Sequence, residues 1–204
     1  MEAIYHSSLQ SNGVRSRIRE ATRVAHARLE LHVGLSNDRF ERKRYVRFLE
    51  RMWGFQYPLE ERLAAFPRLR TVLPDVPLRA RAKLAREDLR VLAPDTQLSI
   101  CSDLPQTDTL PRALGVLYVL EGATLGGRSL LKALEVFPEE TEGVGRYLRG
   151  YGPQTSYRWK RFLNALETSV ISDPDQLEAT QGAVDAFSRL EAWFEQGAGA
   201  RDGH

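Results

Sequence analysis

The sequence predicts an all-α fold, a single-domain multi-helix bundle. Apolar residues recur at spacings of three and four along most of the chain. Nowhere do β-branched residues alternate between hairpin turns. Capping residues and early prolines mark where the periodic stretches begin. At 204 residues the chain falls within the size of one domain. Residues 1–14 are expected to be a flexible N-terminal segment, 15–196 the helical domain, and 197–204 a frayed tail. The domain should hold about six to eight helices.

In the first helix, Val14 to Leu31, the apolar set Val14, Ile18, Ala21, Ala25 and Leu29 forms one stripe. The second should start at Ser36-Asn37-Asp38, with Glu41 three residues after Asp38 as in a capping box. It continues through Tyr45, Phe48, Leu49, Met52, Phe55, Leu59 and Leu63, and Pro58 predicts a kink or a break in it. Residues 67–76 contain two prolines and read as a connector. Leu78 to Leu92 is a shorter, Arg-rich amphipathic helix, and Pro94 to Pro105 is irregular. A long apolar helix runs from Thr109–Pro111 to about Phe137, followed by a loop over 138–153 with one short turn. Tyr157 to Val170 and Pro174 to Phe194 close the bundle, the second capped by Asp173.

Composition narrows the function classes. Hydrophobic residues are 42% and charged ones 27%, which excludes a disordered chain. Twenty-nine basic side chains face 27 acidic ones, so bulk charge gives no footprint for nucleic acid. Cys101 is the single cysteine, which excludes an internal disulfide and a cysteine metal site. The opening MEAIYHSSLQSNGV lacks the apolar core of a secretory signal. The longest apolar stretch, Leu114 to Leu120, is far short of the ~20 residues that span a bilayer. A cytoplasmic protein with no membrane partner is expected.

Of the histidines, His6, His32 and His204 offer little context, but His26 lies mid-helix. It falls within about 60° of Arg19 and Arg23 on the helix surface. Glu30 follows one turn later and Thr22 precedes it by one turn, so either can bond an imidazole N–H and fix which nitrogen is free. A half-buried structural histidine among solvated arginines is the plainer account of the same pattern. Gly122-Ala123-Thr124-Leu125-Gly126-Gly127 interrupts the long apolar helix. Each interior glycine costs about 1 kcal/mol against alanine, so some close approach must need the missing side chains. Gly122 and Gly126 share a face, and the neighbour there is either another helix or a flat ligand. Near the end of the chain, Lys160 stands among Arg158, Arg161 and the aromatics Trp159, Phe162, Phe187 and Phe194. Such a cation either holds a carboxylate or snorkels to solvent. Together these residues offer one nitrogen ligand, a helix able to cover a planar ring, and Arg19, Arg23 and Lys160 to neutralise two carboxylates. Heme has that shape and charge.

At this point the chain resembles the heme oxygenase family, particularly its bacterial members. Arg19-Glu20-Ala21-Thr22-Arg23-Val24-Ala25-His26 is similar to the family's proximal helix, and Tyr118-Val119-Leu120-Glu121-Gly122-Ala123-Thr124-Leu125-Gly126-Gly127 to its glycine-rich distal helix. The resemblance implies that His26 ligates heme iron and that Glu30 hydrogen-bonds that ligand. It implies that Tyr118, Gly122, Ala123, Gly126 and Gly127 line the distal side, and that Lys160, Phe187 and Phe194 complete the heme pocket. It further implies heme b as both substrate and cofactor, O₂, and an external electron donor such as ferredoxin or a reductase. The ring would be opened to biliverdin, CO and ferrous iron, with a phytochrome as one conceivable biliverdin acceptor. Animal members carry a distal aspartate where Ala123 stands, so the groups ordering distal water must lie elsewhere, with Thr124 and Glu121 as candidates. Arg39, Arg42, Lys43, Arg44 and Arg47 form a basic surface suited to an acidic electron donor.

Other classes fit less well. In a histidine phosphotransfer domain His26 would be followed by a cation, and here Glu30 occupies the next turn. A thiamin-degrading enzyme needs a nucleophilic cysteine on the bundle wall, and Cys101 falls in the irregular segment. A heme carrier without turnover on the same fold fits the same residues as the enzyme.

Overall fold

The computed structural model describes residues 13–33, 41–135 and 143–196. Residues 1–12 of the expected flexible segment, the expected tail, the Ser36–Asp38 start signal, Arg39, His6, His204 and the side chain of His32 lie outside the described residues, whereas Val14, expected to end that segment, is buried at the first position of the first helix. The described part is helical without a strand, as the periodicity predicts. In chain order the helices are α1 (Val14–Val33), α2 (Arg42–Ala65), α3 (Pro67–Val72), α4 (Ala82–Leu92), α5 (Leu110–Glu135), α6 (Arg146–Arg149), α7 (Thr155–Ser169) and α8 (Asp173–Gln196). Tight 3₁₀ turns occupy Val76–Arg79 and Gly152–Gln154. No helix among the described residues is long and apolar enough to cross a membrane.

The core is built on α5 and α8, with α1 laid along α8 and α4 along α2. Glycine makes the α5–α8 crossing possible. A Cβ on Gly115 would stand 1.9 Å from the Ala179 carbonyl oxygen, and one on Gly182 2.5 Å from that of Arg112. At the start of α5 the Thr109 hydroxyl accepts the Arg112 N–H at 3.3 Å as a cap and donates to Glu178 at 2.6 Å, tying α5 to α8. α1 contributes Val14 and Ile18 to the core and is held to α8 by Arg17–Asp173 at 2.8 Å and Arg28–Glu191 at 3.1 Å.

Several boundaries differ from expectation, each for a local reason. α2 runs unbroken through Pro58. The carbonyl a proline leaves without its helical partner is that of Gly54, and here the Cys101 N–H donates to it at 2.9 Å. The irregular segment therefore docks on α2 just where the proline frees an acceptor. A Cβ on Gly54 would meet the Ser99 oxygen at 2.3 Å, so this docking also needs glycine. The expected connector over 67–76 is a short helix followed by a 3₁₀ turn, because Pro67 opens the first turn well and Leu69, Leu73 and Val76 are buried. The Arg-rich helix begins at Ala82 rather than Leu78, which is left exposed in the 3₁₀ turn. Glu41 stands at the N-cap of α2 itself, makes no capping hydrogen bond, and pairs with Arg44 at 2.8 Å. The cap of α8 is Ser172, whose hydroxyl accepts the Asp175 N–H at 3.3 Å, while Asp173 is already helical.

Candidate functional site

Between α1 and α5 lies a cavity of about 720 Å³, open to solvent and closed behind by α2, α6 and α8. Its size is that of a site for a substantial organic ligand, roughly 300–1,000 Å³. The α1 wall presents Arg19, Thr22, Arg23, His26 and Glu30. His26 keeps 61% of its side chain exposed towards that space. Phe187 from α8 meets the imidazole edge-on, with ring centres 5.8 Å apart. Glu30 Oε1 lies 3.5 Å from His26 Nδ1. A carboxylate on that side favours the proton on Nδ1 and leaves Nε2 with its lone pair free to ligate.

The opposite wall is the glycine segment of α5. A Cβ built on Gly122 or on Gly126 meets nothing within 4 Å, so neither glycine is there for helix packing. Their bare backbone faces the cavity, a surface on which a flat ring can lie. Gly127 differs, because its Cβ would stand 2.8 Å from the Leu148 oxygen of α6. Two adjacent glycines thus serve two purposes, one relieving the cavity and one admitting the α6 backbone. Ala123 lines the cavity as well. Tyr118 closes its end against Trp159, with ring centres 5.4 Å apart. Burial pushes the Tyr118 phenol up, and Arg15 and Arg19 pull it part of the way back.

The inner end of the cavity is polar, and its residues escaped the sequence reading. Gln56, Arg81 and Tyr147 all line it and all are nearly inaccessible. Among the described residues both atoms of the Gln56 amide and the Tyr147 hydroxyl lack a well-formed hydrogen bond, with Gln56 and Arg81 the side chains nearest the Tyr147 hydroxyl. Buried polar groups without partners are costly, and such a cluster facing a cavity marks where a polar ligand atom or water belongs. Arg81 donates to the Leu120 carbonyl at 3.0 Å and lies over the Tyr147 ring at 5.0 Å. Burial works against its charge, but Tyr147, Tyr151, Glu121 and Glu60 around it raise it overall. Tyr147 is itself held in place by Asp88, which accepts the backbone N–H groups of Arg146 and Tyr147, both at 3.1 Å. Gln56 carried a signal that could have found it, a lone amide on the otherwise apolar stripe of α2. Arg81 and Tyr147 gave none, since Arg81 is one of several arginines in the expected amphipathic helix from Leu78 to Leu92 and Tyr147 falls in the expected loop over 138–153.

Of the residues singled out from the sequence, Arg19, Arg23, His26, Glu30, Tyr118, Gly122, Ala123, Gly126, Gly127 and Phe187 meet around this one space. Three do not. Thr124 is buried and its hydroxyl donates back to the Glu121 carbonyl at 2.6 Å. Phe194 is core, 6.4 Å from the Phe48 ring and behind the cavity wall. Lys160 is exposed on α7, where its neighbour Trp159 is the residue turned to the cavity, about 100° away around the helix. Glu121, the other candidate for ordering distal water, faces away from the cavity and pairs with Arg79 at 2.8 Å.

Known proteins share this sequence pattern and fold. The Heme oxygenase family profile matches residues 12–196. Heme oxygenase PigA of Pseudomonas aeruginosa is 30% identical over 194 residues, which is 93% of this chain and 96% of that protein. The NO- and CO-bound heme oxygenase structures from Neisseria meningitidis superpose with a TM-score of 0.77 at 21% identity, covering 95% of this chain and 96% of theirs. The heme oxygenase structure from Leptospira interrogans gives 0.69 at 19% identity, covering 90% and 99%.

Proposed function

The chain belongs to the heme oxygenase family, and from that premise we propose that it holds heme between α1 and α5 and opens the ring to biliverdin, CO and ferrous iron. One observation carries the assignment of the site. His26 and the bare Gly122–Gly126 backbone face each other across a single cavity whose inner end presents buried polar groups without well-formed hydrogen bonds. When bound, heme supplies both the iron that activates O₂ and the meso carbon that is oxidised.

The chain's own residues do the rest. His26 offers Nε2 to the iron, with Glu30 holding the proton on Nδ1. As a neutral imidazole, His26 would push less electron density onto a bound iron than a thiolate would. Gly122 and Gly126 leave room on the opposite side. Gln56, Arg81 and Tyr147 order the water that donates protons at that side, the role Ala123 cannot fill. Arg19 and Arg23, at the rim of the α1 wall, pair with the propionates and set how the ring is turned in its plane. The external electron donor is acidic and docks on the surface carrying the exposed Arg42, Lys43, Arg44 and Arg47. Reversing the charge of Lys43 and Arg47 should slow turnover while leaving heme binding intact, and unchanged turnover would refute the docking surface.

The function is tested by adding hemin to the purified chain, then a ferredoxin reducing system in air. The Soret band should bleach into a biliverdin absorption with release of CO. A band that persists under reduction would make this chain a heme carrier.

A further inference from the structure

Behind the polar end of the cavity lies a second chamber of about 20 Å³, walled by Glu60, Arg79, Arg81, Leu120, Glu121 and Tyr151. Arg81 and Leu120 border both spaces. About 10–15 Å³ is enough to hold one water, and these side chains supply the polar partners a buried water needs. Glu60 follows Gln56 by one turn of α2, so the same helix face serves one space with an amide and the other with a carboxyl group.

Glu60 is bound firmly. Its carboxyl oxygens accept the Arg81 N–H at 2.8 Å and the Ala82 N–H at 3.1 Å, at the start of α4. Across the chamber Glu121 pairs with Arg79 at 2.8 Å and accepts the Tyr151 hydroxyl at 2.7 Å. Tyr151 is partly exposed, with the Arg158 guanidinium 4.6 Å over its ring. The Tyr151 hydroxyl, which also reaches the Arg79 carbonyl at 2.9 Å, and Glu121 thus line the chamber on the side of the partly exposed Tyr151, with Glu60 across it. The charged and titratable groups facing Glu60 are Arg81 and Arg79 from the segment before α4, Glu121 from α5, Tyr147 from α6, and Tyr151. Burial pushes the Glu60 carboxyl up to about 7, with Glu121 adding to the rise and the Arg81 and Ala82 N–H groups and the Arg81 charge opposing it. A buried carboxyl that changes charge near neutral pH is suited to giving and regaining protons under working conditions.

We propose that Glu60 stores the proton that the inner end of the heme cavity consumes, and that Glu121 and Tyr151 recharge it from solvent. The Glu60 carboxyl gives its proton to the chamber water, which passes one of its own past Arg81 to water and the Tyr147 hydroxyl at the cavity's inner end. Arg81 stays protonated throughout and serves only to orient this water. Glu60, left as a carboxylate, takes a proton back along the Tyr151–Glu121 side. Glu60 acts through these groups and touches no substrate. The inference rests on the ring-opening function proposed above.

Its test has one part independent of heme. Infrared spectra of the ligand-free chain from about pH 5 to about pH 9 should show a carboxylic-acid C=O band titrating near 7, absent in Glu60→Gln. No such band, or one that survives the substitution, overturns the proposal. With hemin bound, Glu60→Gln should open the ring at least about tenfold more slowly and with a flattened pH profile, at unchanged hemin affinity. A rate within about twofold of the parent with the same pH profile overturns it. Should Glu60→Gln fail to fold, Tyr151→Phe removes only the hydroxyl on the recharging side. It should keep the infrared band and slow turnover severalfold, and an unchanged rate and profile overturns the proposal. A parent chain that binds hemin without opening it refutes the proposed function, while the infrared band still decides whether Glu60 holds the proton.

Discussion

The three glycines of the α5 segment make opposite predictions under alanine substitution, and the sign separates a ligand site from a packing site. A Cβ on Gly122 or Gly126 enters open space, so each alanine should give the ligand-free chain the helix-propensity gain of about 0.8–1 kcal/mol without a steric cost. For a chain of this length that is a rise in Tm of about 2–4 °C per substitution. A Cβ on Gly127 stands 2.8 Å from a backbone oxygen and 3.4 Å from the Leu148 Cα, so α6 must move. Overpacking of that kind costs about 1–3 kcal/mol, which cancels or outweighs the propensity gain. Thermal and urea unfolding of the ligand-free variants measures all three. The same substitutions should rank the other way in hemin titrations, Gly122→Ala and Gly126→Ala losing affinity because their methyl groups fill the face on which the ring lies. If Gly126→Ala destabilises the ligand-free chain, or stabilises it with hemin affinity intact, the argument that these glycines serve the cavity is wrong.

Three further outcomes follow from the same geometry. Arg19→Ala and Arg23→Ala should change the ratio of biliverdin isomers on product chromatography, because both residues line the cavity rim, whereas Lys160→Ala, off the cavity wall, should leave it as it was. Because the Glu60 carboxyl is raised above its ordinary value of 4.5 to about 7, its contribution to stability is fully present below about pH 4.5 and is lost as pH rises through about 7. The loss is at most about 3 kcal/mol, and urea unfolding at fixed pH values should show the decline in the parent and flatten it in Glu60→Gln. Asp88→Ala strips the acceptor from the Arg146 and Tyr147 N–H groups and from the Tyr45 hydroxyl, which should cost about 3 kcal/mol in urea unfolding and weaken hemin binding by releasing Tyr147.

The half of the site built on local pattern was legible from the residues alone. His26 with Glu30 is one turn of one helix, and the glycine cluster is a local breach of helix propensity, so both announce themselves within about ten residues. What joins them is tertiary. The choice between helix packing and a flat ligand at Gly122 and Gly126 depended on what α5 faces, and that is set by the Gly115–Gly182 crossing far along the helix. Arg81 and Tyr147 reach the cavity only because the turn before α4 and the short α6 fold back over α2 and α5, and no periodicity encodes that. Pro58 shows the same limit for the fold. Its effect on α2 was decided by a loop more than forty residues away whose Cys101 N–H donates to the Gly54 carbonyl that the proline leaves without a helical partner. Lys160, Phe194 and Thr124 were placed by motif register, and small rotations about a helix were enough to turn each from the cavity.

The central claim is that His26 and the Gly122–Gly126 backbone are the two faces of one heme site. An absorption titration of the chain with hemin, run beside His26→Ala, tests it most directly. The parent should develop a Soret band that saturates at one equivalent, and His26→Ala should lose that band or shift it to a different ligation state. A Soret band of the same position and stoichiometry in both proteins would mean that the iron is held elsewhere, and the account of this cavity would fall with it.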